Sequence, residues 1–168
     1  MITPDHVRTF ARYNHWQNSS LVNTASTLSD EQRSEDRGAF FSSIFATLNH
    51  LLWGDRIWLS RFDQCDAPNQ NSIQNSVVET ASWGDFTSAR STMDQVILDW
   101  SQQLTAKDLE GELTWFSGAA NREVSKPRAF LVCHIFNHQT HHRGQIHAML
   151  TAAGAEPDDT DLFFLPDE

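Results

Sequence analysis

The stretch Leu48-Asn49-His50-Leu51-Leu52-Trp53-Gly54-Asp55-Arg56-Ile57-Trp58 lies inside a run, residues 40–62, that has almost no polar face. Phe40, Phe41, Ile44, Phe45, Leu48, Leu51, Leu52, Trp53, Ile57, Trp58, Leu59 and Phe62 cover most of a helix circumference. A helix that is apolar nearly all round is buried on more than one side, so it needs several partner helices. The chain supplies them. Thr3-Pro4-Asp5 reads as an N-cap followed by proline at the first helical position. Val7, Phe10, Ala11, Leu21, Val22 and Ala25 then mark an amphipathic helix to about residue 28. Ser29-Asp30-Glu31-Gln32 has the capping-box form and predicts one short turn of helix. After Ser82-Trp83-Gly84-Asp85, another cap, Phe86, Ala89, Met93, Val96, Ile97, Trp100 and Leu104 trace a third long helix. A fourth runs from about 128, after Pro127, to Ala153, with Gly154 as its stop.

Four long helices predict an all-α fold, a four-helix bundle. The link between the second and third, residues 63–82, is aperiodic and long enough for a crossover connection, so simple up-down-up-down connectivity is not implied. Thr105-Ala106-Lys107-Asp108 repeats the capping-box pattern, and residues 112–125 around Ser117-Gly118-Ala119-Ala120-Asn121 predict a small hairpin. Beyond Gly154 comes an acidic tail whose Leu162, Phe163 and Phe164 are expected to pack back on the helices.

The 168 residues are expected to form one domain, residues 1–168. Six Trp and eleven Phe give too much aromatic area for a disordered chain, and the tryptophans are expected mostly in the core. No apolar run approaches the roughly 20 residues of a membrane helix. Met1-Ile2-Thr3-Pro4-Asp5 lacks the basic and apolar regions of a signal peptide, so the cytoplasm is the expected compartment. The net charge of -10 lacks the basic footprint that binding to a phosphate backbone requires, and no nucleic-acid contact is expected. The acidic excess reads as a solvated face, because no calcium loop is present. Cys65 and Cys133 are too few for a disulfide framework and too far apart for a CxxC site, and read as reduced, buried small hydrophobes.

Histidine is the anomaly. Five of eight, His134, His138, His141, His142 and His147, crowd onto the fourth helix. At ~100° per residue, Leu131, Met149, Gln145 and His142 all lie within about 40° of His138. His138 and His142 therefore stack i, i+4 on an otherwise apolar face, the spacing by which two imidazoles share one ion. His134 extends this formally to a ladder, His141 lies on a flank and His147 on the opposite face. His6 and His15 read as rim residues. The second helix offers His50, beside the small residues Ser43, Ala46, Thr47 and Gly54. Gly54 in mid-helix costs about 1 kcal/mol relative to Ala, so a spatial reason for it is expected. Two ligands from one helix and one from a facing helix is how bundles build metal sites. Core histidines satisfied by hydrogen bonds are the other reading of the same residues. Arg143 points about 140° from His138, which suggests a surface or interface residue. Asp55 points away from His50, and no general acid or base is named.

Three blocks carry a resemblance: Tyr13-Asn14-His15-Trp16-Gln17-Asn18, the His50 stretch quoted above, and Phe136-Asn137-His138-Gln139-Thr140-His141-His142-Arg143-Gly144-Gln145. Together they resemble the DinB family of DinB/YfiT-like metal-dependent bundle proteins, named for DNA-damage induction. The resemblance spans nearly the whole chain. It implies a four-helix bundle with a long crossing connection, a homodimer, and a divalent metal ion held by His50, His138 and His142. It also implies a small-molecule substrate, since relatives include transferases and isomerases that use low-molecular-weight thiols.

Three imidazoles leave open positions on an ion, which separates a catalytic site from a closed structural one. Such an ion would lower the pKa of water or hold a thiolate, in a thiol-dependent transferase or a hydrolase. Gln145, one turn past His142, is placed to touch substrate or support the site. An all-imidazole shell suits zinc, nickel, iron or copper, with zinc, nickel or iron expected here. The alternative function is a non-catalytic dimeric helical bundle with a structural or stress-response role. A homodimer is expected in either case, because the second helix is apolar on more faces than one core requires.

Overall fold

Thr3 accepts a hydrogen bond from the His6 amide and Pro4 takes the first helical position, and from there the chain enters α1, Pro4–Ser26. A computed structural model of the chain describes residues 2–118 and 120–167. Its other helices are α2 (Asp30–Ser34), α3 (Ile44–Arg61), α4 (Trp83–Gln103) and α5 (Arg128–Ala152). Strands β1 (Glu112–Ser117) and β2 (Arg122–Pro127) pair antiparallel in the predicted hairpin, of whose turn Ala119 lies outside the described residues. The protein is thus mostly helical, with one small two-stranded sheet.

The expected caps are formed. Ser29 and Gln32 make both bonds of a capping box, and Thr105 with Asp108 makes another. The Ser82 hydroxyl receives the Asp85 amide. Gly154, with φ +79°, ends α5 in the left-handed region that glycine adopts without strain.

One boundary differs from expectation. The second long helix begins at Ile44, not near 40, because Ser43 caps it by accepting from the Ala46 amide. Ser42, at φ +63°, turns the chain back so that its amide bonds Ala39 O. This turn leaves Phe40 in solvent at 79% exposure and lays Phe41 over α3.

The long helices pack α1 against α4 and α5, and α3 against the same two. Contacts along their lengths give the directions. Phe45 meets Phe86 and Phe62 stacks on Trp100, so α3 and α4 run parallel. Asn18 bonds Asp94 and Ser26 meets Trp83, so α1 and α4 run antiparallel. His50 faces His142 while Trp58 faces His134, so α3 and α5 are antiparallel. The segment from 63 to 82 lies along α3, to which it is tied by Trp53 Nε1 donating to Gln70 O and Thr80 N donating to Asn49 Oδ1. It is not a featureless loop, for it contains a 3₁₀ turn, Asn75–Val78, with Ser76 fully buried.

The core between the helices is built of Val7, Leu48, Leu52, Phe86, Ile97, Ile135, Ile146 and Leu150, among others. Most of the acids are exposed, in keeping with a solvated face, but Asp55, Glu79 and Asp94 are buried and the middle of the core is polar. Arg90 lies between Asp55 at 2.7 Å and Asp94 at 2.8 Å, all three buried, and Asn18 donates to Asp94. Desolvation pushes the Asp94 carboxyl up despite the guanidinium beside it. Arg143 is also inside, only 6% exposed, donating to Asn14 of α1 beneath the Tyr13 ring. The expected position is at the surface or an interface, and Arg143 is instead interior because its side of α5 meets α1 rather than water. Of the tryptophans only Trp100 is buried and the others are half-buried. Cys65 and Cys133 are free and half-buried.

The tail differs as well. Leu162, Phe163 and Phe164 are exposed, and the tail is held instead by polar bonds to α1, with Tyr13 donating to Thr160 O and Gln17 to Asp159 O. Among the described residues no helix is long and apolar enough to cross a membrane.

Candidate metal centre

Gly54 of α3 lies directly against the His138 ring of α5. A Cβ at that position would stand 3.0 Å from His138 Cε1 and 3.3 Å from its Nδ1, so the glycine makes room for an imidazole. Antiparallel packing of α3 on α5 then sets His50 opposite the His138–His142 pair. Ring centroids are 5.1 Å apart for His50–His138, 4.7 Å for His50–His142 and 4.5 Å for His138–His142. One nitrogen of each lies within 4.8 Å of the other two, and His50 Nε2 is 3.1 Å from His138 Nε2. These three histidines can hold a metal ion.

The electrostatics suit that role. Burial, and then the charge that His142 would carry, push His50 down to about 3. Burial and the neighbouring histidines, His142 first, push His138 down to about 3 as well. Burial lowers His142 too, opposed by its hydrogen bond to Gln145. At neutral pH all three are therefore neutral imidazoles, the form that coordinates a metal. Each outer nitrogen that is bonded meets an oxygen. His142 Nδ1 lies 2.7 Å from Gln145 Oε1, and His50 Nδ1 lies 2.8 Å from Ser76 Oγ. Metal-ligating histidines are held in this way, by a partner on the nitrogen facing away from the ion.

The remaining histidines stay outside the group. His134 packs edge-on against Trp58, so the formal ladder ends at His138. His141 is exposed although its ring touches that of His142, and His6 and His15 are exposed on α1. Asp55 is bonded to Arg90, and Glu79 accepts from Arg56 and from the amides of Asn69 and Gln70.

Sequence reasoning placed Gln145 at the site and missed Ser76 and Phe41. Phe41 stacks on His50 at 4.0 Å between centroids and touches the His142 ring, while Trp53 stacks near His50 at 5.8 Å. Neither Ser76 nor Phe41 carried a usable signal: one lies in an aperiodic segment, and the other read as part of a helix.

Helices that pack around a partly polar core and bring together three imidazoles, two buried and His138 half-buried, from two facing elements define a helical protein with a three-histidine metal-type centre. The family comparison makes this specific: the chain belongs to the DinB family, whose model matches residues 1–168. It is also 30% identical over 155 residues to Protein DinB of Bacillus subtilis (strain 168), an alignment covering 89% of this chain and 87% of that protein.

Proposed function

We propose that this chain binds one divalent metal ion through His50, His138 and His142, and that it is a metal-dependent enzyme of the thiol-using transferase or hydrolase type. The observation that carries this reading is the convergence of three neutral imidazole nitrogens within 4.8 Å of one another, supplied by only two helices. A bound zinc, nickel or iron ion would supply a Lewis acid that favours the deprotonated form of a thiol or of water near neutral pH. The protein's own groups do the rest. Gln145 orients His142, and Phe41 and Trp53 present aromatic faces around His50 that keep water from that side. Asp55 and Glu79 are held by arginines, so neither is free to act as a base toward a substrate.

The helix directions support reading α1, α3, α4 and α5 as a four-helix bundle whose crossover is the 63–82 segment. Exposed Phe40 and the exposed, mutually touching Phe163 and Phe164 support a homodimer, since exposed apolar surface marks association sites. Sedimentation at micromolar concentration is expected to give twice the monomer mass.

The decisive experiment is metal analysis of protein purified without a nickel column, followed by a turnover screen with glutathione-like thiols. One ion per chain with chelator-sensitive turnover is expected. Full stability with no bound metal would instead give a non-catalytic helical bundle.

A further inference from the structure

The Ser76 hydroxyl has two neighbours in line: Ile73 O at 2.6 Å and His50 Nδ1 at 2.8 Å. A hydroxyl has one proton to give, and a carbonyl oxygen can only accept. The Ser76 proton therefore goes to Ile73 O, and Ser76 Oγ must accept from His50. His50 then carries its proton on Nδ1, which leaves the lone pair on Nε2, the nitrogen facing His138. We infer that Ser76 is a positioning residue that presets His50 as an Nε2 metal ligand, and that the 63–82 segment serves to deliver it. This rests on the metal-binding reading above, although the tautomer itself does not.

The segment is fastened for such a task. Glu79, fully buried, accepts from Arg56 at 2.7 Å and from the amides of Asn69 and Gln70 at 3.0 and 3.1 Å. One carboxylate thus joins both arms of the segment to α3. Asn49, adjacent to His50 in sequence, accepts from both the amide and the hydroxyl of Thr80 at 2.8 Å. Ser76 lies between these fastenings and is itself 0% exposed, so no water competes for its hydroxyl. Because His50 Nε2 is then an acceptor, the 3.1 Å approach of His138 Nε2 in metal-free protein is a hydrogen bond donated by His138. His142 is set likewise, since Gln145 Oε1 can only accept from its Nδ1.

The test is long-range proton–nitrogen NMR of the imidazoles in chelator-treated wild-type protein at neutral pH, which needs no variant. His50 protonated at Nδ1 and His138 at Nε2 are expected. His50 protonated at Nε2 would overturn the inference. In Ser76→Ala the His50 proton is expected to redistribute toward Nε2, with zinc affinity by chelator competition falling about 10- to 100-fold. An unchanged tautomer and unchanged affinity in a folded Ser76→Ala protein would equally overturn it. If the wild type shows the Nδ1 tautomer yet takes up no zinc, the metal reading fails while the assignment of Ser76 as the group that sets His50 stands.

Discussion

Gly54 of α3 and His138 of α5 are in contact across the helix interface so closely that a methyl group on the glycine would stand 3.0 Å from the imidazole edge. A mid-helix glycine otherwise only weakens its helix. Here it sets how near the two histidine-bearing helices can approach, and with that the spacing of His50 from His138.

Gly54→Ala should therefore separate the site from the fold. The alanine gains helix propensity of about 1 kcal/mol, but His138 must shift. Helix content by circular dichroism should be retained while zinc affinity falls at least roughly tenfold, as for other perturbed ligand supports. Gly144→Ala is the control, because a Cβ there meets nothing within 4 Å. It should leave affinity unchanged and raise stability by up to about 1 kcal/mol. Equal affinity in both variants would show that the close approach does not matter.

Single replacements His50→Ala, His138→Ala and His142→Ala should each remove the metal, measured as ions per chain. His141→Ala should keep it, because His141 is exposed and outside the converging group. Full occupancy in His142→Ala would sink the assignment.

Chelation should abolish thiol-transfer or hydrolytic turnover and leave helix content nearly intact, because the apolar core is extensive without any ion. Collapse of the helical signal on chelation would show a metal that holds the fold, and the enzyme reading would then be wrong.

The buried histidines predict a direction for acid sensitivity. Unfolded, these imidazoles take up protons near 6.5. In the folded, metal-free chain His50 and His138 do so only at about 3. Between those values the unfolded state binds more protons, so stability rises with pH. Chelator-treated protein should be at full stability above about 6.5 and lose it progressively as pH falls toward about 3. The urea midpoint at several pH values measures this. A His50→Gln/His138→Gln protein should show a shallower slope, and an equal slope would refute the assignment.

Arg90→Ala should cost about 3–5 kcal/mol in urea unfolding, the size expected when one member of a buried ionic group is removed. It would leave Asp55 and Asp94 facing each other without their cation. Arg122→Ala, on the exposed β2 strand, should cost less than about 0.5 kcal/mol.

Much of this protein is local in origin and was legible in its residues. Caps at Thr3, Ser29, Ser82 and Thr105, the stop at Gly154 and the hairpin around Ser117 depend on bonds within a few residues. The i, i+4 spacing of His138 and His142 is likewise a property of one helix, and the apolar surroundings of His50 implied burial. Tertiary structure alone decided what crosses between elements. Arg143, read as a surface or interface residue, is buried because α1 covers that side of α5. Asp55, Glu79 and Asp94 are interior because arginines from other turns and helices reach them. The exposed Phe163 and Phe164 show the converse, for an apolar side chain packs only where a partner surface is within reach. Ser76 makes the point at the site itself: it lies 26 residues from His50, in a segment without periodicity, and gains its role only when that segment returns along α3. Helix caps and periodicities follow from neighbours in sequence, whereas a hydrogen bond between distant residues exists only once packing has set its two ends within 3 Å.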